Sequence, residues 1–204
     1  VLPGVYYENV SFNGVNCRVV SKFEHTGNKI DIANTVIDGG GNNSTVQFIK
    51  KETKQAELKG FTIRNGKLSN GGGIRVSGAN PTLSNLRVVS NVATTNGAGI
   101  FLQDSEAVLR DLFISDNQAS NYGAGLTVMN SSPTLDRIDI NNNRANSNGG
   151  FAAVNSTIIG RHFTIVDNEA KGNNPLSGGV LGVNSHVYLV NSILWGNLPQ
   201  QTGL

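Results

Sequence analysis

The chain has 204 residues, of which only 15% are charged, and its formal net charge is +2. Charge this weak and dispersed argues against a nucleic-acid partner or an anionic membrane surface. No apolar run approaches the eighteen or so residues that a membrane-spanning helix needs. A single cysteine, Cys17, excludes an internal disulfide and any cysteine-cluster metal site. The composition therefore favours a protein with a thin core and no membrane span.

The first 45 residues predict irregular N-terminal coils of a repeat architecture. Alternating apolar pairs such as Val5/Tyr7 and Val10/Phe12, and the segment Thr35–Ile37, are typical of short strands. Terminal coils of a repeat protein differ from the middle ones because one of their faces has no neighbouring coil. We therefore interpret 1–45 as the degenerate beginning of the repeat.

Residues 46–197 predict regular coils, because a glycine recurs eighteen positions before an asparagine. Five segments keep this distance, and a sixth, ending at Asn65, has Gln47 in place of the glycine. Since length varies only in the connectors, the pattern predicts a solenoid of about seven coils with loops on one edge. The recurring asparagines are Asn65, Asn91, Asn117, Asn143, Asn168 and Asn197.

Within a coil the apolar residues alternate in short runs, which is strand periodicity. No segment of the repeat has the length or the period of a helix. The sequence thus predicts an all-β fold, a single-stranded parallel β-helix with three short strands per coil. The general crossover rule makes it right-handed. We expect one β-helix domain over 1–204, with 198–204 as a tail and the whole as a fragment of, or a unit in, something larger. The apolar positions of one coil are Ile74, Val76, Leu83, Leu86 and Val88.

The recurring asparagines predict a structural ladder. Asparagine tolerates a left-handed turn conformation, and stacked amides hydrogen-bond from coil to coil. A row of ligand-binding amides is the alternative interpretation of the same column. The small residue two positions later, as at Ala93 and Ala119, indicates a narrow tube at this corner.

Stacking also predicts a cluster of charged side chains. Six positions before the asparagines the column reads Asn85, Asp111, Arg137, His162, Asn191, and four before them Arg87, Phe113, Asp139, Thr164, Ile193. Because equivalent positions lie about 4.8 Å apart, we expect Asp111, Arg137, Asp139 and His162 on one face. Arg110, Asp136 and Arg161 should lie at an adjacent strand edge or turn. The cluster is either a carbohydrate-binding or catalytic face, or a set of alternating-sign pairs that relieve repulsion in a stacked sheet.

Two aromatic residues are further candidates for ligand binding. Tyr122 lies in a connector and Trp195 is expected to point outward, and exposed aromatic rings stack on sugars. The sequence contains no tight carboxylate cluster suited to Ca²⁺ and no His/Glu spacing suited to zinc. We therefore predict neither a metal nor another cofactor.

The repeat motifs resemble those of right-handed parallel β-helix proteins of the pectin-lyase-like class. More narrowly, they are similar to those of repeat-rich bacterial surface proteins that include the polymorphic outer-membrane proteins of chlamydiae. Those families pair a Gly-Gly-Ala-aliphatic motif with a Phe-x-x-Asn motif. The counterparts here include Gly72-Gly73-Ile74, Gly97-Ala98-Gly99-Ile100, Gly123-Ala124-Gly125-Leu126, Gly178-Gly179-Val180, Ile114-x-x-Asn117 and Ile140-x-x-Asn143. The resemblance implies the β-helix fold, which hosts enzymes, adhesins and fibres alike.

Three functions agree with these observations. The favoured one is a non-catalytic extracellular or cell-surface module, adhesin-like, with a polysaccharide or cell-surface partner and bacterial-type export. The alternative is a polysaccharide lyase or glycoside hydrolase that acts on an acidic polysaccharide through Asp111, Asp139 and His162. The third is a fibre built by end-to-end self-association, because uncapped coil ends present unpaired strand edges.

Overall fold

The computed structural model describes residues 1–203 as a stack of short strands with two short helices near the beginning. Of the predicted tail 198–204, Leu204 lies outside the described residues. In chain order the elements are β1 (Gly4–Tyr7), β2 (Val10–Ser11), β3 (Arg18–Val20), α1 (Phe23–Thr26), α2 (Lys29–Asn34), β4 (Thr35–Asp38), β5 (Val46–Phe48), β6 (Glu57–Lys59), β7 (Thr62–Arg64), β8 (Lys67–Asn70), β9 (Ile74–Ser77), β10 (Thr82–Val89), β11 (Val92–Asn96), β12 (Ile100–Gln103), β13 (Val108–Ser115), β14 (Gln118–Ala119), β15 (Leu126–Met129), β16 (Thr134–Asn141), β17 (Arg144–Ala145), β18 (Phe151–Val154), β19 (Thr157–Val166), β20 (Glu169–Ala170), β21 (Val180–Val183), β22 (His186–Val190), β23 (Ile193–Trp195) and β24 (Thr202–Gly203).

The strands form three parallel sheets that wind around one core. Sheet A has the order β1-β4-β7-β10-β13-β16-β19-β22, with β3, β6 and β23 alongside this path. Sheet B has the order β2-β5-β9-β12-β15-β18-β21-β24, and sheet C the order β8-β11-β14-β17-β20. The chain completes about six turns, close to the predicted number, and the prediction of an all-β parallel β-solenoid is confirmed.

The core is a set of apolar columns inside the tube. Leu83, Leu109 and Leu135 are equivalent positions in successive strands of sheet A and are almost completely buried. Ile74 and Ile100 form a matching column in sheet B. Each such side chain contributes about 1.5–3 kcal/mol by leaving water. Burial of one row therefore holds the outward rows of the same strands in register.

A ladder of buried asparagines runs along the corner between sheets A and C. The side-chain Nδ2 of Asn117 donates to Oδ1 of Asn143 at 2.9 Å, and the backbone N–H of Asn117 donates to the same oxygen at 3.0 Å. The same two bonds join Asn91 to Asn117 and Asn143 to Asn168, and Asn168 to Asn197. Beyond Asn197 the ladder ends on Oε1 of Gln201, 2.8 Å from the Asn197 amide nitrogen.

Asn65 is not a rung of this ladder, contrary to the prediction. It occupies the left-handed position before the rung, with φ of 54°, and its amide donates to Oδ2 of Asp38 at 2.9 Å. Gly66 takes the place of the rung, and its backbone N–H donates to Oδ1 of Asn91 at 2.9 Å. A side chain at Gly66 would overlap the carbonyl oxygen of Gly72, so no asparagine fits there.

The helices α1 and α2 lie in the irregular N-terminal region and were not predicted. Gly27, in a left-handed conformation, ends α1, and the side chain of Asn28 accepts from the Ile30 N–H to cap α2. Helix α2 is anchored on the outside of sheet A, because Thr62 donates its hydroxyl to the carbonyl of Ile32 at 2.8 Å. This contact makes α2 a wall beside the strands that follow.

Removing one rung should destabilise the whole stack. In an Asn143→Ala variant the Asn117 N–H and amide lose their shared acceptor, and buried groups left unpaired are costly, so we expect a loss of roughly 2–5 kcal/mol. Urea denaturation followed by circular dichroism measures it. Asn142→Gly is the control, since Gly196 occupies the same left-handed position in its own coil. Equal stability of the two variants would show that the ladder does not hold the coils together.

Candidate functional site

The candidate site lies where the long strands of sheet A bend. At the bend the backbone is left-handed in each coil, and the pairing skips this residue: Ser84 pairs with Arg110 and Leu86 with Leu112. Asparagine and aspartate tolerate such a backbone better than larger side chains do. The bend makes the outer surface concave, so side chains from both halves of the strand converge. The bend residues are Asn85, Asp111, Arg137, His162 and Asn191, with φ between 51° and 56°.

Helix α2 closes one side of this concavity and turns it into a groove of about 520 Å³, here called the α2 groove. Its floor is apolar because Leu86 and Leu112 are buried beneath it. Three cationic side chains and two carboxylates line it. The lining residues are Lys29, Ile32, Ala33, Asn85, Leu86, Arg87, Asp111, Leu112, Phe113, Arg137, Asp139 and His162.

The charged residues at the bend form one connected ion-pair network. The Nε of Arg137 lies 2.6 Å from Oδ1 of Asp111, and its Nη2 lies 3.1 Å from Oδ2. Nη1 of Arg137 also contacts Asp136, whose other oxygen lies 2.9 Å from Nδ1 of His162. The members are exposed or partly exposed, so solvent screens each pair and it contributes little to stability. The main effect of the network is to orient these side chains. Within it, the carboxylates and the guanidinium group also neutralise each other's charge.

The network includes three of the four residues that the sequence places on one face. Asp111, Arg137 and His162 are connected, whereas Asp139 lines the same groove and has no ion pair within residues 1–203. Asp136, expected at an adjacent edge, is the member that joins Arg137 to His162. The observed network differs from the expected one because the column positions give only where a residue lies along the axis. They do not give the direction in which its side chain extends across the bend.

The electrostatics of the network keep Asp136 ionised. The hydrogen bond with His162 lowers the pKa of Asp136 most, partial burial opposes it, and the charges of Arg137, His162 and Arg110 lower it further. Hydrogen bonding to Asp111 raises the pKa of Arg137. Asp136 is also flanked in the sheet register by Arg110 and Arg161. The column at this edge therefore alternates in sign.

The end of the groove next to α2 is basic. The guanidinium carbon of Arg87 lies 4.7 Å from the centroid of the Phe113 ring, a cation–π contact. Arg87 and Lys29 are exposed, and within residues 1–203 neither forms an ion pair. In the register, Phe113 stands between Arg87 and Asp139. The row along the groove thus runs from a cation through an aromatic ring to a carboxylate.

Tyr122 and Trp195 lie outside the α2 groove. Tyr122 is half-buried in its connector, and its carbonyl accepts from the N–H of Gly97 at 3.1 Å and the hydroxyl of Thr127 at 3.2 Å. Trp195 is 74% exposed on the outer face of β23. Neither residue is brought near Arg137 or His162 as part of the groove lining.

Sequence reasoning missed the α2 wall, which contributes Lys29, Ile32 and Ala33. The signal that could have revealed it is Asn28, a favourable N-cap residue that directly precedes the segment 29–34. The helix is short, and its position depends on packing against sheet A. A repeat-based alignment contains no information on such an insertion.

Comparison with protein-family models, with curated proteins and with solved structures gave no match. Within residues 1–203 no group of three or more His, Cys, Asp or Glu side chains is arranged to hold a metal ion. In the same part of the chain no helix has the length and apolarity that crossing a membrane requires.

Replacing His162 tests the electrostatic coupling. His162→Asn suits the left-handed backbone, because Asn85 and Asn191 occupy the same column, and we expect the pKa of Asp136 to rise towards its ordinary value near 3.9. A lowered folded-state pKa stabilises the protein above the unfolded pKa and ceases to do so as the pH falls through the folded one. The stability difference from wild type should therefore shrink below about pH 4.

Carboxyl ¹³C NMR titration of Asp136 measures this pKa, and urea denaturation across the acidic range measures the stability. His25→Asn, in helix α1, is the control and should leave the Asp136 titration unchanged. An unchanged titration in His162→Asn would contradict the coupling.

Proposed function

We propose that this chain is a non-catalytic extracellular or cell-surface binding module, and that the α2 groove binds an acidic polysaccharide. The observation that carries this proposal is the distribution of charge in the groove. Arg137 is neutralised by Asp111 and Asp136, whereas Lys29 and Arg87 have no ion-pair partner within residues 1–203.

Two cations at one end of a groove suit an anionic sugar. A uronate carboxylate or a sulfate group would form charge-assisted hydrogen bonds with Arg87 and Lys29. The exposed part of Phe113, next in the row, offers an apolar surface against which a sugar ring stacks. Asp139 follows at the next coil and accepts hydrogen bonds from sugar hydroxyls. The cation, the ring and the acceptor lie on three successive coils, one coil spacing apart, which suits a linear chain lying along the solenoid axis.

The state of the carboxylates supports binding over catalysis. A glycosidase general acid must keep its proton near the working pH, which requires a raised pKa. The pKa of Asp136 is lowered, and Asp111 is held by two hydrogen bonds from Arg137. Asp136 is therefore not poised to donate a proton, and the side chain of Asp111 is engaged by Arg137. The polysaccharide lyase or hydrolase remains the alternative proposal, with Asp139, which has no ion pair within residues 1–203, and His162, which contacts Asp136, as its candidate groups.

The cell-surface part of the proposal is supported by the repeat motifs. The segments Gly72-Gly73-Ile74 and Ile114-x-x-Asn117 resemble those of pectin-lyase-like β-helix proteins and of bacterial surface proteins with polymorphic outer-membrane repeats. On this proposal the solenoid is a rigid support that presents the groove to a glycan outside the cell.

The double variant Lys29→Gln/Arg87→Gln tests the acidic ligand. Calorimetric titration with oligogalacturonate should give at least about tenfold weaker binding than wild type, since a tenfold change corresponds to about 1.4 kcal/mol and each charged hydrogen bond is worth about that much. Lys50→Gln/Lys54→Gln, which removes the same charge from the connector between β5 and β6, is the matched control. Equal weakening in both variants would indicate non-specific charge attraction and would contradict the proposal.

The same samples separate binding from turnover. Incubation of wild type with polygalacturonate should yield neither new reducing ends nor unsaturated products. Product formation that disappears in Asp139→Asn, with folding retained, would replace the binding proposal by the enzymatic alternative.

We propose end-to-end assembly into a rod as a second candidate role, because the last strands of sheet A within residues 1–203 have a neighbour on one side only. Within residues 1–203, β22 and β23 pair on one side only, with β19. Val187 and Leu194 are only partly buried, whereas their partners in the preceding coil, Ile158 and Ile165, are completely buried. A second copy that pairs with this edge would continue the sheet in a heterologous contact.

Electron microscopy at rising protein concentration tests this role. We expect rods of uniform width that lengthen with concentration. Val187→Lys, which puts a charge on the apolar edge, should return single particles, whereas Val190→Lys, on the outward face of the same strand, should not. Single short particles of wild type at every concentration would contradict self-assembly.

A further inference from the structure

A second groove, of about 770 Å³, runs along the turns that lead from sheet B to sheet A. It shares no lining residue with the α2 groove. Exposed polar side chains from successive coils line it, and no Lys or Arg is among them. We call it the polar edge, and its principal residues are Asp104, Glu106, Asn130, Asn155, Asn184 and His186.

The backbone beneath the polar edge is rigid. The serine one position after each left-handed residue forms its own ladder: the Ser105 N–H donates to Oγ of Ser131 at 2.9 Å, and the Ser131 N–H to Oγ of Ser156 at 3.1 Å. The Ser156 N–H continues it to Oγ of Ser185 at 3.0 Å. These buried or half-buried hydroxyls accept hydrogen bonds from the backbone N–H groups of the turns. The asparagine amides above them are therefore not needed to hold the backbone.

The asparagine amides are exposed and retain hydrogen-bonding capacity. Nδ2 of Asn155 lies 3.3 Å from Oδ1 of Asn130, and Nδ2 of Asn184 lies 3.4 Å from Oδ1 of Asn155, both long bonds open to solvent. An amide has two donors and two acceptor lone pairs, so each side chain keeps unused groups on its outer side. The result is a row of donors and acceptors repeated at the coil spacing.

We propose that the polar edge is a second carbohydrate site, which takes an uncharged, hydroxyl-rich glycan lying along the solenoid axis. Amides pair with hydroxyls as both donor and acceptor without requiring charge. Asp104 and Glu106 at one end accept hydrogen bonds from sugar hydroxyls and repel uronates or sulfates. At the other end the His186 ring stacks on Tyr188, with centroids 6.5 Å apart, and extends the site with an aromatic surface.

The variant Asn130→Gly/Asn155→Gly tests this site while preserving the fold. Glycine suits the left-handed backbone, and Gly78 occupies the same turn position one coil before Asp104. The probes are linear neutral hexasaccharides of β-linked glucose, xylose or N-acetylglucosamine, titrated into ¹⁵N-labelled protein. At least one should shift the side-chain amide signals of Asn130, Asn155 and Asn184, and the double variant should bind it at least tenfold more weakly.

Two controls separate this site from the α2 groove and from backbone effects. Asn142→Gly makes the same left-handed replacement on a different edge and should leave binding unchanged. Lys29→Gln/Arg87→Gln should also leave it unchanged, so this site can fail or succeed independently of the acidic-glycan proposal. The inference is overturned if no neutral hexasaccharide shifts the three amides, if Asn142→Gly weakens binding equally, or if oligogalacturonate shifts the same amides instead.

Discussion

The stacking of one coil on the next depends on the buried asparagine ladder. In the rungs Asn117, Asn143 and Asn168 a single Oδ1 accepts two hydrogen bonds from the preceding coil. Nδ2 of each donates both to the next rung and to a backbone carbonyl, as Asn143 does to Ile114. Such an amide has no capacity left for a ligand, so the column is structural and the ligand-row interpretation of it fails. Because buried groups left unpaired are costly, the ladder permits one register. The same register fixes every outward column, so outward residues that are 26 positions apart lie side by side on neighbouring coils.

Outward columns become grooves only where the backbone turns. Sheet A bends at Asp111, Arg137 and His162, each in a left-handed conformation that costs a residue other than Gly, Asn or Asp about 1–3 kcal/mol. Arg137 and His162 are unfavourable choices on local grounds, since Asn85 and Asn191 fill the same place elsewhere. Their contacts with Asp111 and Asp136 offset part of the strain. Weak, partly exposed ion pairs do not stabilise a fold much, so stability gives no reason for the charge at this bend, whereas binding of the proposed acidic glycan would give one.

The fold was predictable from the sequence because the constant spacing of glycine and asparagine reflects the ladder directly. The convergence of Asp111, Arg137 and His162 was predictable for the same reason, since column membership determines position along the axis. Three features were not. Asn65 matches the spacing but not the geometry, because close backbone approach requires Gly66 at the rung. The side chain of Asp136 reaches across the bend, and the spacing of a repeat does not determine the direction of a side chain. Helix α2 depends on packing against sheet A rather than on periodicity.

The left-handed columns are where this solenoid is free to vary. Core columns are apolar and the rungs from Asn91 to Asn197 are asparagine. A left-handed turn position, by contrast, accepts Gly, Asn or Asp at little cost, and in the two grooves its side chain faces solvent. The two grooves use this freedom differently: charged side chains fill the bend of sheet A, and amides fill the polar edge. The same solenoid therefore presents charged side chains on one surface and amides on another, both repeated at the spacing of the coils. Since Gly and Asn fit the backbone at every such position, substitutions to these residues replace an outward side chain without straining the backbone. Loss of binding in such variants therefore reports on the surface alone, and the function of each groove can be separated from the stability of the stack that carries both.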